Sequence, residues 1–460
     1  MQKERRVMRM ESNKKKINKG SLGFRLFRGY VHLFNRFMFF RRIHIVGADH
    51  LPTDGQPLLV ACNHQNTMID PLQVIFALRP RRACIFARAS VFSNKWAGMF
   101  MRWIGALPAY RMRTDGENAL PHNKDSFAEA GDRMMKGEAV VIFPESYHQD
   151  KHHLGDFSLG YLRMAFETAE QYHFEQEISI LPMAHHYSSY FGARYEIQLS
   201  IGTPIPLSPY YEAYKAKPRT TQRNVNALVR EQIEQMMVDV HDEPHYLAID
   251  YIRRSYADTY ARQHGLNPDR YADRTRAEQQ LIVLLENAYR NDENGTRKTY
   301  QLAEDIRQKE NINRLDDKDF EQCTGLLPTL MKSSGLIITF PLFIFSLWPN
   351  APIYLIYHKL QKKAPDMFKS SLLYGTCVLI GIPLFYPLST LLCAFLFHSV
   401  WISFVYLLIQ PILSILAWEY TKSVKHAINS WHYCRCAIAE KTKIKKWREE
   451  LRSQIARMEQ

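Results

Sequence analysis

Short apolar runs alternate with amphipathic stretches between residues 43 and 207. Runs rich in Val, Ile, Leu and Phe predict β-strands at residues 43–46, 57–62, 83–87, 139–143, 178–182 and 195–201. Apolar positions at helical spacing predict helices at residues 92–104, 124–136 and 158–173. Because strands and helices alternate, we predict an α/β domain at residues 43–207 with a mostly parallel sheet flanked by helices.

The segments on either side of this domain have helical patterns. Residues 23–40 place large apolar side chains at helical spacing opposite a basic stripe, which predicts an amphipathic helix. Such a helix either lies in a membrane interface or packs on a protein core, and the pattern favours neither alternative. Residues 208–330 are polar and charged with helical periodicity, so we predict a helical region there.

The last third of the chain is strongly apolar. Residues 370–418 contain no Asp, Glu, Lys or Arg, and they are long enough for two membrane-spanning helices with a turn at Pro387 or His398. Prolines interrupt a further apolar run at residues 335–357, which is either one kinked span or a re-entrant hairpin. We therefore predict a membrane domain at residues 331–420 with two or three hydrophobic segments, followed by a basic helical tail at 421–460.

The positive charge of the chain is concentrated at its two ends. The formal net charge is +14; residues 1–42 hold 13 Lys/Arg against two Asp/Glu, and residues 421–460 hold ten against four. Basic residues that flank apolar segments suit an anionic membrane surface better than a nucleic acid, although solvated basic tails are an alternative. Lysines on both sides of residues 370–418 predict an even number of crossings with both flanks cytoplasmic. We expect an integral membrane protein with its catalytic domain on the cytoplasmic side.

The distribution of cysteines and the N-terminal residues indicate the cellular compartment. The seven cysteines are scattered and form no secreted disulfide framework, which favours a reducing compartment. No apolar core follows the first basic residues within the first twenty positions, so we predict no cleavable signal there.

Candidate chemistry begins where the second predicted strand ends. The sequence PLLVACNHQNTMIDPL at residues 57–72 places His64 directly after that strand and Asp70 shortly after it. Ligand sites of open α/β sheets lie at the carboxyl ends of strands. A carboxylate that holds one imidazole nitrogen orients the ring as a general base for a hydroxyl nucleophile. One His near one Asp is weak evidence by itself, because a structural histidine fits equally well.

Three further blocks follow in order. Residues 105–111 read Gly-Ala-Leu-Pro-Ala-Tyr-Arg, residues 141–145 read Val-Ile-Phe-Pro-Glu, and residues 178–183 read Ile-Ser-Ile-Leu-Pro-Met. With Asn63-His64 and Asp70 before them, these blocks make residues 40–207 resemble the glycerol-phosphate and lysophosphatidic acid acyltransferase family. Five residues separate His64 from Asp70 where four are commoner, and the His-Gln-Asn start resembles the branch of eukaryotic glycerol-3-phosphate and dihydroxyacetone-phosphate acyltransferases.

The resemblance implies an acyl transfer from acyl-CoA or acyl carrier protein, without a further cofactor or a metal. His64 would deprotonate the acceptor hydroxyl, which attacks the thioester directly without a covalent acyl-enzyme. Arg111 would bind the phosphate of a glycerol-phosphate acceptor, Glu145 would line the acceptor site, and Asn63 would steady the thioester oxygen. The matching blocks also place Gly105, Pro144 and Ser146 in substrate binding.

Some features leave the acceptor open. Ser146 replaces the glycine of the family's third block, so glycerol-3-phosphate, its 1-acyl derivative and other lipid acceptors (a lysophospholipid or an aminolipid) remain alternatives. A non-catalytic membrane scaffold that keeps the fold is a further alternative. His148, Asp150, His152 and His153 form a histidine-rich segment whose spacing matches no known ligand pattern, so we predict a solvated loop rather than a metal site.

Overall fold

The computed structural model describes residues 16–110, 119–145, 151–315, 320 and 325–459. It divides into two compact units. The first unit takes in the chain up to Met237 except residues 37–41 and 191–195. The second unit takes in those two short segments and the chain from Val238 onward.

The first unit is built on one sheet of eight strands in the described part of the chain. The strands are β1 (Arg42–Val46), β2 (Leu58–Cys62), β3 (Ala83–Arg88), β4 (Ala106–Ala109), β5 (Ala139–Ile142), β6 (Ser179–Tyr187), β7 (Glu196–Ile201) and β8 (Ile205–Pro206). Their order is β1-β7-β6-β2-β5-β3-β4, and β8 pairs with β6. Strand β6 runs antiparallel to β7 and β8, whereas the other neighbours are parallel. The predicted α/β class with a mostly parallel sheet is confirmed.

Helices cover this sheet. They are α1 (Leu22–Leu33), α2 (Ile69–Ala77), α3 (Lys95–Ile104), α4 (Ala119–Met135), α5 (Gly160–Gln171), α6 (Tyr211–Ala216) and α7 (Pro218–Met236). All five residues of β2 are buried, because β2 lies between β5 and β6 inside the sheet. Val225, Val229 and Ile233 of α7 belong to the same hydrophobic core. The first unit therefore extends to Met237, beyond residue 207, where the α/β domain was predicted to end.

The two faces of helix α1 differ in burial. Phe24, Arg28 and Val31 are buried, whereas Leu22 and Leu26 are about two-thirds exposed. A π-helical turn, Phe34–Phe39, continues the helix. The predicted amphipathic helix is therefore present, and one of its faces packs on protein while apolar side chains remain on the other.

The part of the second unit outside its three long apolar segments is helical. It comprises α8 (Tyr246–Gln263), α9 (Tyr271–Asn291), α10 (Glu293–Asn313) and, much later in the chain, α15 (Ile438–Met458). Ile444, Leu451 and Ile455 of α15 share one hydrophobic core with α8, α9 and α10. The predicted basic tail is thus helical, but its last helix is part of a packed core, because these three apolar residues recur on one face.

Three long apolar segments separate α10 from α15. They are α11 (Leu326–Gln361), the broken helix Lys369–Phe397, and α14 (Val400–Arg435). The broken helix consists of α12 (Lys369–Thr376), a π-helical stretch around Pro383 and α13 (Tyr386–Phe397). Each of the three is long and apolar enough to cross a membrane. His398, with a left-handed backbone (φ +47°), forms the turn between α13 and α14, one of the two positions predicted for it.

Gly105 closes α3 in a conformation that favours glycine. Its φ is +104°, and a Cβ atom there would lie 2.6 Å from the carbonyl oxygen of Ala83. We expect Gly105→Ala to destabilise the β3–β4 edge by at least about 2 kcal/mol, since both backbone strain and the steric clash oppose it. Hydrogen exchange of the amides in residues 83–109 should accelerate in the intact protein.

Gly29→Ala is the matched control for this prediction. Gly29 lies within α1, and a Cβ there would meet no atom within 4 Å, so exchange should stay unchanged or slow slightly. Equal exchange of residues 83–109 in the two variants would contradict the proposed constraint at Gly105.

Candidate active site

His64 lies at the carboxyl end of the central strand β2. The strand brings the chain out of the sheet at Cys62, and His64 follows two residues later. Its side chain is 17% exposed, and its ring stacks on Phe143 with 4.4 Å between ring centroids. The imidazole is therefore held in one orientation at the sheet edge where sites of α/β proteins form.

Asp70 holds one nitrogen of that ring. It lies in the first turn of α2, is fully buried, and its Oδ2 is 2.8 Å from His64 Nδ1. The same oxygen accepts hydrogen bonds of 2.7 Å from the backbone N–H groups of Gln65 and Asn66. The five residues between His64 and Asp70 thus form a loop whose own backbone donates to the Asp70 carboxylate.

The second oxygen of Asp70 faces strand β6. Tyr187 donates its hydroxyl hydrogen to Oδ1, and His185 Nδ1 lies 3.9 Å from the same atom. Burial by itself would raise the pKa of Asp70, but His185, His64 and the backbone donor of Asn66 outweigh it and lower the pKa to about 2. Burial lowers the pKa of His185. Asp70 is therefore an anion at neutral pH.

An anionic Asp70 determines the tautomer of His64. A carboxylate only accepts hydrogen bonds, so Nδ1 must carry a hydrogen toward Asp70. In the neutral ring Nε2 is then the nitrogen with a lone pair, and that nitrogen can take a proton from a hydroxyl group. Asp70 would also stabilise the imidazolium that forms.

The side chain of Asn63 joins two strands. Its Nδ2 donates to the carbonyl oxygen of His185 at 3.1 Å, and its Oδ1 accepts from the N–H of His185 at 2.7 Å. The sulfur of Cys62 lies 3.1 Å from His185 Nδ1. Asn63 is fully buried, and these bonds tie the end of β2 to β6 directly behind His64.

Glu145 also supports the histidine from behind. It is 2% exposed; one carboxyl oxygen accepts from the N–H of His64 at 2.6 Å and the other from the N–H of Gly155 at 2.9 Å. Burial raises the pKa of Glu145 to about 7 against the opposing effect of these two backbone donors. The carboxyl group that was predicted to line the acceptor site thus positions the backbone of His64.

The other predicted site residues have different placements. Gly105 ends α3 and lies at the opposite end of β4 from Tyr110. Pro144 is buried, and its carbonyl oxygen accepts a hydrogen bond from the N–H of Ser158 at 3.0 Å. Arg111 and Ser146 lie outside the described residues, and so do His148 and Asp150. His152 is described: it is buried, and its Nδ1 lies 3.2 Å from the hydroxyl of Tyr190.

Sequence reasoning missed Tyr187 and His185. The strand predicted at residues 178–182 extends to Tyr187, and its added half carries both side chains that face Asp70. The signal that was available is the sequence Met-Ala-His-His-Tyr after Pro182, in which aromatic and polar residues follow a buried strand toward the edge of the sheet.

Comparisons with known proteins find similarity to acyltransferases. Residues 42–186 match the family model named Acyltransferase. An uncharacterized acyltransferase of Schizosaccharomyces pombe is 22% identical over 301 residues, which cover 47% of this chain and 44% of that protein. The 1-acyl-sn-glycerol-3-phosphate acyltransferase of Bacillus subtilis is 28% identical over 102 residues, which cover 22% of this chain and 46% of that protein. The match therefore spans less than half of the length of either relative.

A solved structure was also found. The crystal structure of the 1-acyl-sn-glycerophosphate (LPA) acyltransferase from Thermotoga maritima is 15% identical, with a TM-score of 0.32, and the match covers 45% of this chain and 78% of that one. The family match at residues 42–186 includes both His64 and Asp70. Over these residues the chain is similar to known acyltransferases.

Proposed function

We propose that this protein is a membrane-bound O-acyltransferase of phospholipid synthesis. It transfers a fatty acyl group from acyl-CoA or acyl carrier protein to a hydroxyl of glycerol-3-phosphate or 1-acylglycerol-3-phosphate. The observation that carries the proposal is the 2.8 Å contact between His64 Nδ1 and a buried, anionic Asp70 at the carboxyl end of β2. That pair is the arrangement a general base needs in order to activate a hydroxyl group.

The proposed reaction needs one histidine for both proton transfers. His64 Nε2 takes the proton of the acceptor hydroxyl while the oxygen attacks the thioester carbonyl carbon and forms a C–O bond. The tetrahedral intermediate then expels the thiolate by breaking the C–S bond, and the imidazolium returns the proton to the sulfur. Asp70 stabilises the imidazolium between the two steps.

Acceptor choice and membrane orientation belong to the same proposal. Arg111 is assigned to the acceptor phosphate because a guanidinium binds phosphate in a planar, permanently charged fork. Lysines flank the charge-free segment 370–418 on both sides, which favours a cytoplasmic position for both flanks. They are Lys359, Lys362, Lys363 and Lys369 before the segment and Lys422 and Lys425 after it. A lysophospholipid or aminolipid acceptor is the second candidate, since Ser146 replaces the glycine of the third block.

The first test is loss of the base. We expect His64→Ala to lower acyl transfer by about 10² to 10⁴-fold, and Asp70→Asn to cause a large loss as well, because an amide cannot hold the required tautomer. The measurement is transfer of labelled acyl groups from acyl-CoA and acyl carrier protein to both glycerol phosphates by the solubilised full chain. His44→Ala, on strand β1 at the edge of the sheet, is the matched control and should stay active. Wild-type protein that transfers no acyl group to any acceptor would favour the scaffold alternative.

The second test concerns the phosphate. We expect Arg111→Ala to raise KM for the phosphorylated acceptor at least about tenfold, as loss of a charge-assisted contact predicts, with little change for an unphosphorylated monoacylglycerol. Arg113→Ala, two residues further along, is the matched control. Equal losses with phosphorylated and unphosphorylated acceptors would mean that Arg111 does not bind the phosphate.

The third test separates two roles of Glu145. An amide offers one acceptor oxygen, so Glu145→Gln should lose the bond to the N–H of His64 or of Gly155 and turn a donor toward a donor. We expect kcat to fall about 10- to 100-fold, while KM for the acceptor changes less than about twofold. A rise in acceptor KM at unchanged kcat would instead support direct contact with the acceptor. Steady-state kinetics with the donor saturating resolves the two outcomes.

A further inference from the structure

The two flanks of the apolar region form one water-soluble core. Helix α15, which follows the apolar helices, packs on α8, α9 and α10, which precede them. Arg448 of α15 donates to Glu310 of α10 at 2.9 Å, and Thr299 of α10 donates to Gln454 of α15 at 2.8 Å. Because one packed core cannot be divided by a bilayer, the chain must enter and leave the membrane on the same face. An odd number of crossings is therefore excluded, although three segments are apolar enough to cross.

The contacts between α11 and α14 show how far each residue of α11 lies from the packed core of the flanking helices. From the first turn of α11 inward, Thr329 contacts Cys434 at 3.3 Å and Ser333 accepts from the indole of Trp431 at 2.9 Å. Further along, Phe343 stacks on Tyr420, and Asn350 accepts from Ser414 at 2.6 Å. The partner on α14 thus moves steadily away from the soluble core, so α11 descends along α14 as far as Asn350.

Beyond Asn350 the path of α11 departs from a straight course along α14. If the helix ran straight, Gln361 would lie beside Ser403, because eleven residues advance both helices equally. Gln361 instead lines a cavity together with Thr421, which is 18 residues closer to the soluble core than Ser403. Pro349 and Pro352 lie inside the helix where its path changes. Proline removes a backbone hydrogen bond and bends a helix, so it supplies the physical cause.

The basic residues after α11 share this shallow level. Ser370 donates to the carbonyl oxygen of Gly192 at 3.3 Å, and Arg194 pairs with Glu419 at 2.9 Å. Lys422 donates to the carbonyl oxygen of Arg194. The start of the broken helix and the residues around Glu419 of α14 are therefore held at one depth by the segment 191–195.

The remaining apolar hairpin is long enough to cross. Residues 370–418 contain no Asp, Glu, Lys or Arg, and the stretch from Val400 to Glu419 is about 28 Å long, close to the thickness of a hydrocarbon core of about 30 Å. The turn at His398 is flanked by Phe395, Val400 and Trp401, whose side chains are 72–83% exposed. Exposed apolar side chains at this tip suit contact with lipid.

We propose that the bilayer is crossed twice, by Lys369–Phe397 and by α14, and that α11 is a re-entrant helix that returns to the face it left. Residues before Leu326, the lysines at 359–369 and residues after Arg435 then lie on one face, and the His398 turn lies at the other. The partner of this surface is the lipid bilayer itself. The inference stands apart from the acyl-transfer proposal, since it depends on contacts within the second unit alone.

Cross-linking tests directly whether the end of α11 lies beside Thr421 or beside Ser403. In full-length protein with its native cysteines replaced by alanine or serine, Gln361→Cys with Thr421→Cys should be joined by a short bismaleimide. Gln361→Cys with Ser403→Cys is the matched control and should not be joined, because positions 421 and 403 are about 27 Å apart along α14. A cross-link to position 403 but not to 421 would show a straight third crossing and overturn the proposal.

Accessibility tests the topology independently. Lys298→Cys, Lys363→Cys and Ser399→Cys variants are exposed to a membrane-impermeant maleimide in intact cells and in inverted vesicles from the same cells. We expect positions 298 and 363 to react from the same side and position 399 from the other. Opposite sides for 298 and 363 would mean that α11 crosses, and the same side for 363 and 399 would mean that the hairpin does not. Lys425→Cys should be labelled by the maleimide from the same side as Lys363→Cys in both preparations. This variant checks that the fold is intact.

Discussion

The carboxylate of Asp70 is the contact on which the site geometry depends. It is fully buried, yet it stays charged because four donors converge on its two oxygens: the His64 ring, the N–H groups of Gln65 and Asn66, and the hydroxyl of Tyr187. A buried charge without such partners would be too costly to keep. The same bonds that stabilise the anion also orient the imidazole, so the stability of the loop and the orientation of the His64 ring have one origin.

A second layer of buried polar groups keeps this loop in place. Asn63 joins the end of β2 to β6, and Glu145 joins the backbone of His64 to that of Gly155. Neither side chain needs to touch a substrate to matter for the reaction. Residues of a sequence motif can therefore fix the position of the backbone around His64, and buried polar groups with hydrogen bonds on both sides are the structural sign of that role.

The packing of the flanking helices constrains the path of the apolar segments. Helices α10 and α15 are separated by more than a hundred residues that include three long apolar segments, yet they form one core with a buried Arg448–Glu310 pair. Any path between them must return to the face it left. Hydrophobicity and length identify segments that tolerate lipid, but the packing of the flanking helices limits how many of them cross.

The sequence predicted several elements from local pattern alone. Each of the six predicted strands was found, because buried parallel strands appear as apolar runs. Helix α2 and strand β4 were missed: α2 is only nine residues long and follows the loop after His64, and β4 contains Pro108, which argues against a strand. Strand β6 was predicted too short, since Pro182 suggested an end that pairing with β2 and β7 overrides.

The sequence by itself determined the class of fold, the His64–Asp70 pair and the apolar segments, since each depends on neighbours along the chain or on ordered motifs. Tertiary structure alone decided which groups surround Asp70: Tyr187 lies 117 residues away and reaches it only through the pairing of β2 with β6. It also decided that Glu145 accepts from the backbone of His64, and that α15 packs on α10. Contacts between distant residues leave no local pattern, because hydrogen bonds and burial depend on which surfaces the fold brings together.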